Sequence, residues 1–542
     1  MPSAEPAGAP KKILIRGANW VGDAIMTLPA LSAVGLNFPE SRLEVLTRPW
    51  ALAVYQGQPE AAAVRALAAD GPHRGFFGRL RLARELAAEG FDLALLFQNA
   101  FEAAALAALA RIPERWGYAR DGRAFLLSRA VKVEERDRYV HQAFYYLTLL
   151  EKLGLEAPFS RPRLKPPKEA LPEAGALLHQ SGGRPDDFLL AAAPGAAFGP
   201  AKRWPVKNFA EAALMILERT PDPRRARIMI LGGPGEVEAA GQLAGLLPPR
   251  QTLNLAGRTS LGTAMALMSR ASLLISNDSG LMHVGGGLDI PLAAVFGPTD
   301  PLTTAPLGQS RLIRSEVSCA PCLKRECPLD RQHCFDQVSP EKVAAAALDL
   351  LRNPLTNEGP GRAVFLDRDG TLIEEANFIR SPEQVRLIPG AGRAVAALNQ
   401  AGYRVVLVTN QSGLARGLFS LDDLKLIHRR LARLLAEEGA RLDAVFFCPH
   451  HPEAAVVPEW SGPCNCRKPA LGLFEEAIAQ LKLDPRRSVW VGDRARDLAA
   501  AEHYGGRSVL VLTGYGLAEA KKRKFTPTLV APDLPRAVEW IL

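Results

Sequence analysis

Short apolar runs recur along this chain, each closed by a glycine, asparagine, aspartate or proline. Between them lie longer segments in which apolar residues return every three or four positions. ILIR is followed by such a segment from about Asp23 to Leu36, then come LEVL and LALLF. Buried strands alternating with amphipathic helices predict an α/β fold with parallel sheets. The Pro-rich, charged stretch RPRLKPPKEALPEA at 161–174 interrupts the pattern and reads as a connector. A second set follows, FLLAAAPG, RIMILGG, LNLAG, ASLLISND and PLAAVFG, closed by the helical SPEKVAAAALDLLRN. After NPLTNEGPGR a third set begins, AVFLD, YRVVLVTN, AVFFCP, SVWVGD and SVLVLTG, with LDDLKLIHRRLARLLAEEG between its members. The expected organisation is a flexible tail over residues 1–11, a lobe over 12–170, a second lobe over 171–352, a linker over 353–362 and a third domain over 363–542.

Composition narrows the classes. A chain of 542 residues is too long for one core, and 48 % hydrophobic with 23 % charged residues excludes a disordered or fibrous protein. No run of about 18 apolar residues occurs, and the opening MPSAEPAGAP lacks the apolar stretch of a signal peptide. The expectation is a cytoplasmic protein that is at most peripheral to the inner membrane. A net charge of +9 favours anionic partners such as sugar phosphates, nucleotides or an acidic membrane surface. Nucleic acid is disfavoured, because the basic residues are scattered among acidic ones and no recognition signature appears.

Candidate chemistry gathers at strand ends, where parallel sheets place reactive groups. In the third set these ends carry Asp367, Thr409 and Asp493, with Lys468 on a loop between them. Phosphoryl transfer needs a nucleophile, a divalent cation and donors around the transferred oxygens. Asp367 suits the nucleophile, and Mg²⁺ suits a site between Asp367, the main-chain carbonyl of Asp369, and Asp493. Thr409 and Lys468 would hold the phosphoryl oxygens, and Asp369 would move the proton of the leaving group. The seven cysteines fall into two clusters. Cys448, Cys464 and Cys466 join His450 in a C-x-H plus C-x-C pattern that suits tetrahedral Zn²⁺ ordering a loop of low apolar content. Cys319, Cys322, Cys327 and Cys334 have a less regular spacing and read as reduced structural thiols ahead of a metal site.

The motifs DRDGT, TN, K and GDxxxD, in that order, resemble the haloacid-dehalogenase superfamily. Within it FLDRDGTL, TNQSGLARG, CPHH, CNCRKP and VGDRARD look like the D,D-heptose 1,7-bisphosphate 7-phosphatases, whose sisters are histidinol phosphatases. The resemblance implies that Arg467 and Lys468 read the substrate, and that Glu375, Phe378, Thr409, Asn410, Gln411 and Ser412 contact the sugar phosphate.

In the first two lobes, RGANWVGDAIMTLP places Asp23 at a helix start without a dinucleotide fingerprint. By position alone Asp23 also suits a helix cap. PGAAFGPAKRWP then delivers Lys202 and Arg203, and ISNDSGLMHVGGGL opens a helix with Asp278, Ser279 and Gly280, a setting suited to a diphosphate. These segments resemble the ADP-heptose:lipopolysaccharide heptosyltransferases of glycosyltransferase family 9, most of all heptosyltransferase II. That resemblance implies two Rossmann-like lobes of the GT-B kind, the acceptor on the first and the sugar nucleotide on the second. It makes Asp23 the general base and Lys202 the partner of the leaving diphosphate. Asp278, Ser279, Gly280 and His283 would line the donor pocket, Glu236 would meet a ribose, and no metal is expected there. The implied substrates are a nucleotide-heptose, a heptose bisphosphate and a lipopolysaccharide inner-core acceptor. Histidinol phosphate, another sugar nucleotide, or a non-catalytic N-terminal scaffold remain as alternatives, and the anomer, the carrier nucleotide and the oligomeric state are open.

Overall fold

The computed structural model describes residues 9–352 and 361–542. The linker expected at 353–362 and the tail at 1–11 therefore fall largely outside the described residues. Among those described, the chain forms two compact units, residues 9–134 with 145–352, and residues 135–144 with 361–542. The excursion Glu135–Phe144 thus belongs to the second unit, where the His141 N–H donates to the Val530 carbonyl at 3.1 Å.

The first unit contains two sheets. One is built from β1 (Lys12–Arg16), β2 (Arg42–Thr47), β3 (Ala63–Ala66), β4 (Leu93–Leu96), β5 (Glu114–Tyr118) and β6 (Arg129–Val131), in the order β3-β2-β1-β4-β5-β6. The other uses β7 (Phe188–Ala193), β8 (Ala226–Ile230), β9 (Thr252–Asn254), β10 (Leu273–Asn277), β11 (Leu292–Val295) and β12 (Ser310–Ile313), in the order β12-β11-β10-β7-β8-β9. The second unit has one sheet, of β13 (Ala363–Leu366), β14 (Arg404–Asn410), β15 (Ala444–Cys448), β16 (Val489–Gly492), β17 (Arg507–Val511) and β18 (Leu529–Ala531), in the order β15-β14-β13-β16-β17-β18. All pairings are parallel, and each sheet follows the same doubly wound order, third-second-first-fourth-fifth-sixth.

That order puts a topological switch between the first and fourth strand of each sheet, where the connections leave to opposite faces and open a crevice. Register brings the paired ends level. Arg16 aligns with Leu96, Ser276 with Ala193, and Leu366 with Val491. Side chains leaving these strands therefore reach the same crevice, and Asp23, Lys202, Asp278, Asp367 and Asp493 all follow such strands.

The central strands are buried on both faces, as their unbroken apolar runs require. Leu14, Leu46, Leu86 and Leu96 pack in the first lobe, and Leu190, Trp204, Phe209 and Ile275 in the second. In the second unit Phe365 stacks on Trp490 at 4.8 Å with Phe474 edge-on at 5.6 Å. The helix expected from Asp23 to Leu36 is two helices, Val21–Met26 and Leu28–Asn37. Pro29 is the cause: it has no N–H to donate and its ring collides with the carbonyl four residues back, so the chain restarts at Thr27. No helix among the described residues is long and apolar enough to cross a membrane.

Candidate active sites

The cleft between the two sheets of the first unit has a volume of about 1290 Å³ and is lined by Asp23, Lys202, Glu236, Asp278, Ser279, Gly280 and His283, among others. The residues expected to serve the transferase half gather there, except Arg203, which the same loop carries but which does not line the cleft. The volume exceeds the few hundred Å³ that hold one small ligand and suits a nucleotide sugar beside an acceptor. Two glycines permit the lobes to approach. A Cβ on Gly22 would lie 2.6 Å from the His283 ring, and one on Gly280 would lie 3.1 Å from Val21. The helices Val21–Met26 and Gly280–Gly287 thus meet across the cleft with no room for larger side chains.

Asp23 is the third residue of its helix but caps nothing, since the capping position is Trp20 and no side chain caps there. Burial pushes its carboxyl up to about 6; Lys202 pulls it down and Asp278 pushes it up. A carboxylate poised in that range is a competent general base near neutral pH. Lys202 Nζ sits 2.6 Å from Asp278 Oδ2 and 4.8 Å from the Phe198 ring centroid. Its loop is anchored through Trp204, which is fully buried, donates from its indole N–H to the Val338 carbonyl at 3.0 Å and from its main chain to Asn277 Oδ1 at 3.1 Å. Glu236 accepts the Gly233 N–H at 2.7 Å and presses on Gly195, where a Cβ would be 2.3 Å from its carboxyl carbon.

The loop bearing Cys319, Cys322, Cys327 and Cys334 does not gather its thiols as a metal-ligand group among the described residues. It buttresses the Lys202 loop instead. The Arg325 carbonyl accepts the Ala201 N–H at 3.0 Å, the Arg325 guanidinium lies 5.5 Å from the Phe198 ring, and Gln332 donates to the Pro200 carbonyl at 2.9 Å. Cys334 is buried, which raises its thiol to about 11 and keeps it protonated and inert.

In the second unit Asp367, Asp493 and Asp497 converge with carboxylate oxygens within 4.8 Å of one another. Lys468 reaches both Asp367 Oδ1 and Asp497 Oδ1 at 2.7 Å and donates to the Val408 carbonyl at 2.7 Å. Three carboxylates face one lysine. Burial and the neighbouring Asp367 push the Asp493 carboxyl upward, so the set lacks positive charge, and hard oxygen donors around that deficit fit Mg²⁺. Asp497 was not among the expected ligands; the i, i+4 spacing within GDRARD was its signal. Asp369, expected beside the metal, turns its carboxylate to Arg368 (two contacts of 3.1 Å) and to Gln411 Nε2 at 3.1 Å, leaving its main-chain carbonyl as the part considered for Mg²⁺.

Asp493 is wedged between backbones: a Cβ on Gly370 or on Gly514 would lie 2.3 Å from its Oδ2, and both glycines have positive φ. Replacing Gly514 by Ala is therefore expected to displace Asp493 and cut phosphate release at least tenfold, read as a raised Mg²⁺ requirement in a titration.

Asn410 brackets the lysine, accepting the Lys468 N–H at 3.0 Å and donating to its carbonyl at 3.1 Å. Gln411 donates to Thr409 Oγ1 at 2.9 Å, and Ser412 is buried beside it. Phe378 lies at positive φ, is 40 % exposed and sits 5.7 Å from the Arg416 guanidinium. Burial raises the Glu375 carboxyl, with Asp369 and Asp367 adding to the effect and Arg494 opposing it. Arg416 and Arg494, cations flanking expected contact residues, lie within TNQSGLARG and VGDRARD, but those motifs do not single them out.

Cys448, His450, Cys464 and Cys466 also converge. Their contacts run from 3.1 Å (Cys448 to Cys466) through 3.3 Å (Cys466 to His450 Nδ1) to 3.8 Å (Cys448 to His450 Nδ1). The edges of a Zn–S tetrahedron are about 3.8 Å, so three sulfurs and one imidazole nitrogen at these spacings fit one tetrahedral ion. Arg467 donates to the His450 carbonyl at 3.0 Å, tying this cluster to the residue before Lys468.

Known proteins divide along the same line. The model of glycosyltransferase family 9 (heptosyltransferase) matches residues 79–333, and the HAD-hydrolase-like model matches residues 465–537. The D-glycero-D-manno-heptose-1,7-bisphosphate 7-phosphatase of Thermosynechococcus vestitus is 45 % identical over 188 residues, 34 % of this chain and 96 % of that protein. Lipopolysaccharide heptosyltransferase 2 of Salmonella typhimurium is 29 % identical over 359 residues, 64 % of this chain and 99 % of that protein. The structure of ADP-heptose lipopolysaccharide heptosyltransferase II from E. coli matches with a TM-score of 0.53 and 26 % identity, covering 63 % of this chain and 98 % of that one. The chain is thus a fusion: its C-terminal part belongs to the heptose bisphosphate phosphatase family and its N-terminal part is a family 9 heptosyltransferase domain.

Proposed function

We propose that this chain carries two activities of lipopolysaccharide core heptose metabolism. Its C-terminal site hydrolyses the 7-phosphate of D-glycero-D-manno-heptose 1,7-bisphosphate, and its N-terminal cleft transfers heptose from ADP-heptose to the lipopolysaccharide inner core. The observation that carries the reading is the pair of acidic sites at strand switch points, each matched by relatives with the corresponding activity.

In the phosphatase site Asp367, Asp493 and Asp497, with the main-chain carbonyl of Asp369, would hold Mg²⁺, which neutralises charge on the transferring phosphoryl group. Asp367 attacks phosphorus and the bond to the sugar oxygen breaks. Asp369, oriented by Arg368 and Gln411, delivers a proton to that oxygen and later takes one from the water that cleaves the aspartyl phosphate. Lys468 and Thr409 hold phosphoryl oxygens. Zn²⁺ on Cys448, His450, Cys464 and Cys466 would order the substrate loop. Replacing Cys466 by Ser is expected to lower bound zinc from one equivalent toward none, measured by metal analysis of the purified chain, and to expose the loop to proteolysis.

In the cleft, Asp23 removes the proton of the acceptor hydroxyl as it attacks the anomeric carbon, while Lys202, released from Asp278, meets the departing diphosphate. Residues 12–170 serve the acceptor and 171–352 the donor, at the cytoplasmic surface of the inner membrane. No divalent ion is required for this step. Incubating the chain with ADP-heptose and a heptose-primed acceptor is therefore expected to release ADP at the same rate with or without EDTA, whereas EDTA stops phosphate release from heptose bisphosphate. No ADP release, or release that EDTA abolishes, would overturn the transferase assignment.

A further inference from the structure

The first sheet delivers an exposed aromatic residue on every one of its first five carboxyl-end connections. Trp20 follows β1 and Trp50 follows β2; Phe76 and Phe77 open the helix after β3, Phe101 opens the helix after β4, and Phe125 lies in the turn after β5. In a parallel sheet these connections all leave one edge, so the rings share a rim. Phe77 is 83 %, Phe125 76 % and Phe76 71 % exposed. Neighbouring connections are tied together: Phe101 and Phe125 have ring centroids 6.2 Å apart, Arg79 bonds Glu102 at 2.6 Å, and the Trp50 indole donates to the Asn19 carbonyl at 2.7 Å. Trp20 and Trp50 also line the transferase cleft, so the rim is continuous with its mouth.

Water-facing aromatics in this number are unusual, and large ring side chains beside basic ones are the composition of a membrane interface. Outside the cleft Arg48, Arg74, Arg79 and Arg120 on these connections stand against Asp70, Glu102 and Asp121, and Glu102 is neutralised by Arg79, while Arg123 is fully buried and takes no part. The excess is positive. A second copy of the chain is a poor occupant, because a two-fold interface would set this basic rim against itself. An anionic bilayer complements both the charge and the rings.

We propose that the carboxyl edge of the first sheet is a membrane-docking face that seats its aromatic rim in an anionic lipid surface and points the cleft mouth at acceptors embedded there. This rests on the reading of the cleft as a transferase acting on a lipid-anchored acceptor.

The test is sedimentation of the full chain with vesicles of equimolar phosphatidylglycerol and phosphatidylcholine, and with phosphatidylcholine alone. The wild-type chain is expected to bind the anionic vesicles and to favour them over the neutral ones. Phe76→Ser/Phe77→Ser/Phe125→Ser is expected to weaken that binding by about tenfold or more, with an unchanged melting curve of the full chain as the check that the first unit is folded. Arg74→Glu/Arg120→Glu, which spares the rings, is expected to weaken binding to anionic vesicles as well. Equal binding by wild type and both variants, equal binding to neutral vesicles, or ring-dependent dimers that ignore vesicles would overturn the proposal. The readout needs no turnover, so ring-dependent vesicle binding without any heptose transfer would support the face while counting against the transferase reading.

Discussion

Replacing Asp367 by Asn is expected to lower phosphate release by about ten-thousandfold or more while leaving heptose transfer within about twofold. The first figure follows from removing a nucleophile for which no other group substitutes. Lys468 is spoken for by Asp367 and Asp497, and Asp369 is turned toward Arg368 and Gln411, so neither side chain is placed to attack. The second figure follows because the transferase residues belong to a different compact unit. Loss by unfolding is separable from loss by chemistry. Asp367 adds negative charge beside Asp493 and Asp497, and both carboxyls are held above their ordinary range partly on its account. An amide in its place relieves that crowding, so the variant should melt no lower than the wild type. Coupled assays of both activities on one preparation, with a melting curve, test all three statements. A variant that loses both activities together, or that melts early, would remove Asp367 from the role of nucleophile.

Replacing Asp23 by Asn should lower transfer by about 10² to 10⁴-fold, the usual worth of a positioned general base, with the affinity for ADP nearly unchanged. The pH profile adds a sharper signature. Asp23 must be ionised to accept a proton, and its carboxyl stands near 6, so wild-type transfer should fall about tenfold per pH unit below that value while the Asn variant stays flat. The sign for stability runs opposite to that of a salt-bridged aspartate. The folded carboxyl titrates above its unfolded value of 3.8, so the folded chain binds more protons between about 3.8 and 6. Stability therefore declines as pH rises through that window, and above it the cost of holding the charge in the cleft is fully present. Asp23 keeps some contact with solvent, which screens the charge, so removing it should stabilise the first unit by on the order of 1–2 kcal/mol at neutral pH. A variant that gains stability as it loses catalysis marks a residue kept for its chemistry. Unchanged transfer would assign Asp23 a structural role.

The pattern of apolar residues revealed every central strand, and with them the edge strands β9 and β15. KILIR, FLLAAA, LLISN and AVFL are buried on both faces and need no partner pattern to be seen. The strands it did not reveal are β3, β5, β6, β12 and β18, all at or next to a sheet edge and between three and five residues long. Ala63–Ala66 is only half-buried along its whole length, and two of the three residues in Arg129–Val131 are exposed. These two carry Arg and Ala where a central strand carries Ile and Leu, so the signal fades with the burial that produces it, whereas Leu529–Ala531 is buried throughout and escapes notice because it is three residues long.

The same contrast governs the sites. Asp23, Lys202 and Asp278 were legible because glycines and a helix start mark where a strand ends, and the Cys3His cluster was legible from close ligand pairs. What the motifs could not express was which side chain turns toward which partner. Asp369 goes to Arg368, Asn410 clasps the lysine backbone, and Asp497, in the first turn of the helix Ala495–Tyr504, joins Asp367 and Asp493. The four-cysteine segment, whose irregular spacing reads as structural thiols, has a role its motif could not express: its main chain and Arg325 hold the loop of Lys202 in place.

Phosphate release by the purified full-length chain, supplied with Mg²⁺ and either anomer of D-glycero-D-manno-heptose 1,7-bisphosphate, with histidinol phosphate in a parallel reaction, tests the phosphatase assignment most directly. One phosphate per sugar, taken from carbon 7 and released faster than from histidinol phosphate, is the predicted result. Faster turnover of histidinol phosphate, or loss of the anomeric phosphate instead, would contradict it.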